Sequence, residues 1–340
     1  MSNGYKVAIA GATGAVGQAM LEILEQRAFP VSELVLLASE RSEGKRFSFN
    51  GKNIAVQRLD SYDFAGTDIG LFSAGGSLSE TFAPIAADAG CLVIDNTSQF
   101  RYDDDIPLVV PEVNAQRLSE CRNRGIIANP NCSTIQMMVA LKPIHDRVPI
   151  RRINVATYQA VSGAGTSAIE ELAGQTAALL NTKEVKVQAL PRQIAFNAVP
   201  QIDRFEANGY TREEMKMVWE TRKILEDDDI QVNPTCVRIP VFYGHSEALH
   251  LELAEPVTAE QAQAWLAEAP GVTVASDDAD YPTAVEHAAN EDPVFVGRIR
   301  QDISHPCGLN LWVVSDNVRK GAALNSVQIA EALIEQGLLG

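Results

Sequence analysis

Cys132 is the residue in this chain best placed to act as a nucleophile. It lies in Asn129-Pro-Asn-Cys-Ser-Thr134, after the strand-like run Gly125-Ile-Ile-Ala128 and before Ile135, Met138 and Leu141 at helical spacing. That pattern predicts a strand-to-helix corner with Cys132 at or just before a helix N-terminus. Free N–H groups and the helix dipole at such a point favour a thiolate and can hold an oxyanion. A small buried cysteine behind a turn has the same local sequence. The chemical reading therefore depends on partners elsewhere in the chain.

Several residues have the chemistry to be those partners. Arg238 sits in Cys236-Val-Arg-Ile-Pro240, where strand alternation puts it on the same face as Cys236. An arginine inside an apolar strand is costly to bury without an anion. Pro240 and Gly244 break the run before His245, so this histidine is expected to be re-aimed rather than to follow strand parity. A lone histidine at a strand end is more often structural. Thr211 caps a helix on which Glu213 and Lys216 share a face, a spacing that by itself describes a surface ion pair. Gln159 closes the long strand-like run from 151 to 161. Arg101, at the end of Asn96-Thr-Ser-Gln-Phe-Arg101, is a candidate anion ligand.

A second chemistry is written in glycines. The buried strand Tyr5–Ala10 runs into Gly11-Ala-Thr-Gly-Ala-Val-Gly17, and a helix with Met20, Leu21 and Leu24 follows. Strand, glycine turn and helix in that order suit a dinucleotide pyrophosphate held on helix N–H groups, although an ordinary tight βα turn has the same order. Ser73-Ala-Gly-Gly-Ser77 is another glycine turn at a strand end and a wall for the same cofactor. The second strand, 33–38, ends in Ser39-Glu-Arg-Ser42. Arg41 and Ser42 suit a 2′-phosphate and favour NADP, whereas Glu40 would suit the ribose hydroxyls of NAD.

The elements that must position these residues follow from the whole chain. At 340 residues it is long enough for two domains. Strands alternate with helices up to residue 130, which predicts a doubly wound parallel sheet of Rossmann type. Beyond 147, long strand-like runs with few helices between them predict an α+β domain with a mainly antiparallel sheet. We expect a nucleotide-binding domain over 1–130, completed by a C-terminal helix in 319–340, and a catalytic and dimerisation domain over 131–318. The irregular stretch 181–209 is expected to form interface loops. A net charge of −16 excludes nucleic acid as a partner class but leaves room for a local cationic pocket. No apolar run is long enough to span a membrane. Five irregularly spaced cysteines argue against a disulfide framework or a metal site and for a cytoplasmic protein.

A nicotinamide fold with a cysteine at a helix N-terminus points to oxidation of an aldehyde through a thioester. GATGAVG, SAGGS, NPNCST, EEMK at 213–216, RIPV with His245, and DNVRKGAALN at 316–325 together resemble the aspartate-β-semialdehyde dehydrogenase family, in its motif order and over essentially the whole chain. The resemblance implies a cytoplasmic homodimer that interconverts aspartyl phosphate and aspartate semialdehyde with NADP and inorganic phosphate. It implies Cys132 as the acyl-thioester nucleophile and His245 as the acid/base. Gln159 would orient the substrate, Arg238 clamp its carboxylate and Glu213 meet its amino group. Arg101, Lys216 and Asn131 would hold phosphate. Gly11, Thr13, Gly14, Ala15, Val16, Arg41, Ser42, Ser73, Gly75, Ser162, Gly163 and Asn317 would line NADP. N-acetyl-glutamyl-phosphate reductases share the overall plan, but their motif places glycine where this chain has Asn131. An inactive paralogue serving as a dimeric binding partner would typically have lost part of this set.

Overall fold

Tyr5–Ala10 forms β1, buried at its C-terminal end, and the glycine loop leads at once into α1 (Ala15–Gln26). The protein, described from a computed structural model, is defined over residues 4–276 and 279–339. Its chain divides into two units, Met1–Asn131 with Ala322–Gly340, and Cys132–Gly321.

In the first unit, β2 (Val31–Ala38), β3 (Arg46–Phe49), β4 (Lys52–Arg58), β5 (Ile69–Phe72), α2 (Gly76–Asp88), β6 (Leu92–Asp95), α3 (Pro111–Asn114) and β7 (Ile126–Ala128) follow in order. The sheet order is β3-β4-β2-β1-β5-β6-β7. Every pair is parallel except the edge hairpin β3–β4. That hairpin departs from the purely parallel sheet expected from sequence. Its cause is local: Asn50 and Gly51 both take positive φ, the two-residue turn whose twist matches antiparallel strands. The chain leaves β1 for β2 on one side and later enters β5 on the other. The crevice beyond the end of β1 is thus the switch point where such sheets bind ligands.

The second unit contains α4 (Cys132–His145), β8 (Ile150–Gln159), α5 (Thr166–Leu180), α6 (Arg212–Leu225), β9 (Gln231–Arg238), β10 (His245–Leu253), α7 (Ala259–Ala267), β11 (Val272–Val274), β12 (Val294–Gln301) and β13 (Gly308–Ser315). Its sheet runs β11-β12-β13-β10-β8-β9. The three inner pairings are antiparallel and the two outer ones parallel. α4 packs on one face, against β8, β10, β12 and β13. His245, Glu247, Leu249 and Leu251 of β10 are buried. Residues on the other parity, Ala248 and His250, line a groove of about 620 Å³ with Tyr158 and Trp312.

α8 (Leu324–Glu335) returns to the first unit, where Leu324, Val327, Ala330 and Leu333 join the core around Val7, Ile9 and Met20. Among the described residues no helix is long and apolar enough to cross a membrane.

Candidate active site

The corner at Cys132 is fixed from behind. Asn129 donates its backbone N–H to the Asp95 carbonyl, and its side-chain oxygen accepts from Asn325 Nδ2 at 2.7 Å. α4 then begins at Cys132 itself, with no acidic residue in its first turn to compete for the helix N–H groups. Cys132 is partly exposed and, like the other four cysteines, is outside any disulfide.

α6 is anchored by the same residues that cap it. Thr211 and Glu214 form a reciprocal capping box, and Glu214 Oε1 also accepts the Cys236 N–H at 3.0 Å. That bond sets α6 on β9 and brings its Glu213–Lys216 face to Arg238. Glu213 Oε1 accepts from Gln159 Nε2 at 3.0 Å, and Oε2 accepts from Lys216 Nζ at 3.0 Å. Lys216 also reaches Asp203 at 3.1 Å. The side chains of Lys216 and Glu213 keep 14% and 7% of their exposure. Their spacing alone described a surface ion pair; capping and strand pairing have turned it inward.

One residue, Ala160, ties the cationic and imidazole groups together through its two flanking peptide groups. The Ala160 carbonyl accepts from Arg238 Nη1 at 2.7 Å, while its N–H donates to His245 Nδ1 at 3.0 Å. Gly163 packs over both: a Cβ there would lie 3.0 Å from Arg238 Nη1 and 3.3 Å from His245 Nε2. His245 is fully buried and is the first residue of β10. It follows strand parity with Glu247 instead of being re-aimed, because the break at Pro240–Gly244 ends before the strand starts. Burial first, and the Arg238 charge second, push its pKa down to about 3, so the ring is neutral. Because Nδ1 accepts a backbone N–H, the neutral ring carries its proton on Nε2. Burial also pulls Arg238 below its usual value, and the neighbouring Glu213, Cys132 and Cys236 act in the opposite direction. The guanidinium still stays charged.

One further residue on this framework, Glu247, escaped sequence reasoning, and Asn317, which the resemblance implies for NADP, is held on it too. Glu247 lies two residues beyond His245, fully buried near the Gln136 amide, yet neither carboxylate oxygen closes a hydrogen bond. Burial raises its pKa well above the ordinary value, which keeps it protonated. Asn317 Oδ1 accepts the Gly244 N–H at 2.9 Å, and its amide pairs with Ser162 Oγ at 3.0 Å. A polar strand residue such as Glu247 carries no sequence signal, because its burial depends on packing beside Gln136 of α4.

The first unit holds a cleft of about 500 Å³, lined by Gly11, Thr13, Gly14, Ser39, Glu40 and Ser73 among others. A Cβ on Gly11 would strike the Ser73 carbonyl oxygen at 2.5 Å, and its φ is +88°. The two glycine turns therefore touch. Gly14 is different: the sole atom near its Cβ position is the Gly11 carbonyl at 3.4 Å, and α1 has no side-chain cap. An open glycine before uncapped N–H groups fits a pyrophosphate. Ala15 and Val16 open α1, and Gly75, at φ +99°, ends the second turn. Arg41 and Ser42 lie in a short 3₁₀ turn, with Arg41 exposed and Ser42 buried. Glu40 and Asp60 at the cleft's end both pair with Arg58. Arg101 is buried and donates to the Asn96 carbonyl at 2.8 Å; Asn131 is buried at the residue before Cys132.

A nucleotide cleft on a doubly wound sheet and a second unit that clusters cysteine, histidine, arginine and glutamate define a two-domain nicotinamide-dependent dehydrogenase. Comparison with known proteins agrees unit by unit. Residues 6–121 match the family model "Semialdehyde dehydrogenase, NAD binding domain", and residues 141–320 match "Semialdehyde dehydrogenase, dimerisation domain". The chain is 63% identical to the aspartate-semialdehyde dehydrogenase of Shewanella violacea, covering 98% of this chain and 99% of that one. It superposes with a TM-score of 0.96 on aspartate semialdehyde dehydrogenase II of Vibrio cholerae, solved in complex with ASA, at 62% identity over 98% of this chain and 99% of that one. A Candida albicans aspartate semialdehyde dehydrogenase solved with NADP is similar at a TM-score of 0.74 and 26% identity, over 97% and 98% of the two chains. The chain belongs to the aspartate-semialdehyde dehydrogenase family of oxidoreductases.

Proposed function

We propose that this enzyme catalyses the reversible NADP-dependent reductive dephosphorylation of L-aspartyl-4-phosphate to L-aspartate 4-semialdehyde and phosphate, through a thioester on Cys132. That reaction stands at the branch towards diaminopimelate, lysine, methionine and threonine in the cytoplasm. The observation that carries the reading is the backbone of Ala160, whose carbonyl and N–H hold Arg238 and a neutral His245 side by side, with Arg238 in electrostatic reach of Cys132.

In the oxidative direction the Cys132 thiolate attacks the aldehyde carbon, a C–S bond forms and the carbonyl oxygen becomes an alkoxide. His245 Nε2–H, the proton on the unbonded edge of the ring, holds that alkoxide. NADP, when bound, supplies the acceptor for the hydride that leaves this carbon. The thioester remains on Cys132. A phosphate oxygen then attacks the acyl carbon, the C–S bond breaks and the thiolate is restored. No proton has to leave the imidazole. Acting as a full acid/base, the ring would take a second proton against both burial and Arg238. Arg238 presents a planar fork to the substrate carboxylate, which a lysine cannot reproduce. Glu213, oriented by Gln159, meets the amino group, and Lys216 serves phosphate. Arg41 and Ser42 would hold the 2′-phosphate, and Gly14 the pyrophosphate. The groove on the outer sheet face, with Tyr158 and Trp312, is assigned to a second copy in a homodimer, supported by the dimerisation model that matches this unit.

The test is covalent trapping. Wild-type protein mixed with semialdehyde and NADP, without phosphate, should carry an acyl adduct on Cys132 by peptide mass spectrometry. Cys132→Ser should lose turnover by roughly 10⁴-fold or more while still binding NADP. An adduct on Cys91 or Cys236 instead would sink the assignment.

A further inference from the structure

Gly321 lies directly against Cys132, from outside the helix that the cysteine begins. A Cβ built on Gly321 would lie 2.7 Å from Cys132 Cβ and 3.2 Å from Cys132 Cα. Its next neighbour, the Asp316 carbonyl oxygen, would be 3.6 Å away, an ordinary contact. Carbon atoms pack at about 3.5–4.0 Å, so only the two Cys132 atoms forbid a side chain here. Gly321 is also absent from the positive-φ residues, so backbone conformation does not call for glycine. The contact with the cysteine does.

The turn that carries Gly321 is held at several points. Asp316, buried, accepts the Val318 and Arg319 N–H groups on Oδ1 at 2.7 and 2.9 Å. Its Oδ2 accepts the Asn290 N–H at 2.7 Å, and its carbonyl accepts the Gly321 N–H at 3.0 Å. Arg319 pairs with Asp292 at 2.7 Å. Next to Asp316, Asn317 holds the N–H of Gly244, the residue before His245. One short turn thus touches the nucleophile with its last residue and the histidine's neighbour with its second.

We propose that the turn Asp316–Gly321 is a positioning device for Cys132: Gly321 braces the cysteine Cβ, and Asp316 with Asn317 keeps that brace in register with His245. The proposal rests on Cys132 being the nucleophile. Both sides of the contact are backbone or Cβ, so no flexible side-chain end can absorb an added methyl. Either the start of α4 or the turn must shift, by roughly the 1 Å that costs about 100-fold when a reacting group is misplaced.

The experiment uses the full chain with NADP bound. Single-turnover acylation by semialdehyde is followed as NADPH appears, in wild type and Gly321→Ala. Acylation should slow by roughly 30- to 100-fold, with the Kd for NADP unchanged within about twofold. Asp316→Asn, which keeps the shape and removes one acceptor, should slow it by about tenfold. Urea melts of Gly321→Ala are compared in the wild-type and Cys132→Gly backgrounds. The substitution should destabilise only the protein that retains the Cys132 Cβ. An acylation rate equal to wild type, or equal destabilisation in both backgrounds, overturns the proposal. Absence of any adduct on Cys132 in wild type instead overturns the parent reading and the positioning role together, and the two failures are thereby told apart.

Discussion

The nucleotide cleft of the first unit and the catalytic cluster of the second are built on opposite principles. The cleft is made of backbone: two glycine turns, an uncapped helix start and an open position at Gly14. Its residues come from short turns at strand ends, and its binding power comes from backbone N–H groups. The cluster is made of buried side chains drawn from α4, β8, α6, β9 and β10. There Arg238, Glu213 and His245 are largely or wholly removed from water, and each is costly unless its partner is in place. The difference teaches where each site is vulnerable. The cleft fails by steric filling, and the cluster fails by loss of one charge or one hydrogen bond.

The sharpest break in this comparison should come at the two cations. Arg238→Lys exchanges a two-bond fork for a point charge at the substrate carboxylate. Acylation kcat/KM for semialdehyde should fall by roughly 30- to 150-fold, about 2–3 kcal/mol. Lys216→Ala should raise the KM for phosphate by a similar order while pre-steady-state acylation holds. Equal slowing of acylation in both variants would merge the two roles and refute the division. In the cleft, Gly14→Ala meets no protein atom closer than 3.4 Å, so its melting midpoint should stay near wild type. Its Kd for NADP should rise by about tenfold, roughly 1.4 kcal/mol, as titrated by fluorescence. A loss of stability with unchanged affinity would show that this glycine serves the fold instead. Arg41→Ala should lower the NADP-to-NAD ratio of kcat/KM by about tenfold; an unchanged ratio would move the 2′-phosphate to other residues, Arg58 foremost.

The smallest effect concerns pH, and it arises from two buried groups of the cluster. The folded pKa of Glu247 is raised, so the native state binds more protons than the unfolded chain above the ordinary glutamate range. Its contribution is present at low pH and is lost as pH rises. His245 has a depressed folded pKa of about 3, so the unfolded chain binds more protons between there and 6.5, and stability is lost as pH falls through that window. The two slopes oppose each other near pH 5. Glu247→Gln should therefore be more stable than wild type at about pH 8, with the gap closing towards about pH 4, as measured by urea melts. A gap that does not change with pH would mean that Glu247 is not protonated in the native state.

Much was legible before any coordinate. The corner at Cys132, the cap at Thr211, the glycine turn after β1 and the mainly antiparallel second sheet each follow from signals within a few residues: period, caps and turn chemistry. The Asn50-Gly51 hairpin is equally local, but the alternation of strands and helices around it points to a wholly parallel sheet. What the chain order could not show is which polar residues would be enclosed. Glu213 and Lys216 share a helix face at any spacing of three. Only Glu214, bonding both to its own cap and to the Cys236 N–H, turns that face onto β9. His245 and Glu247 alternate like any strand pair until α4 covers them, and Gly321 is an unremarked small residue until its turn meets Cys132. Sequence by itself determined the elements and the reactive residue types, because backbone preference and periodicity act over short range. The tertiary structure decided protonation, burial and spacing, because those depend on the dielectric and contacts supplied by segments distant in the chain, from 22 residues away for Glu214 and Cys236 to 85 for Ala160 and His245.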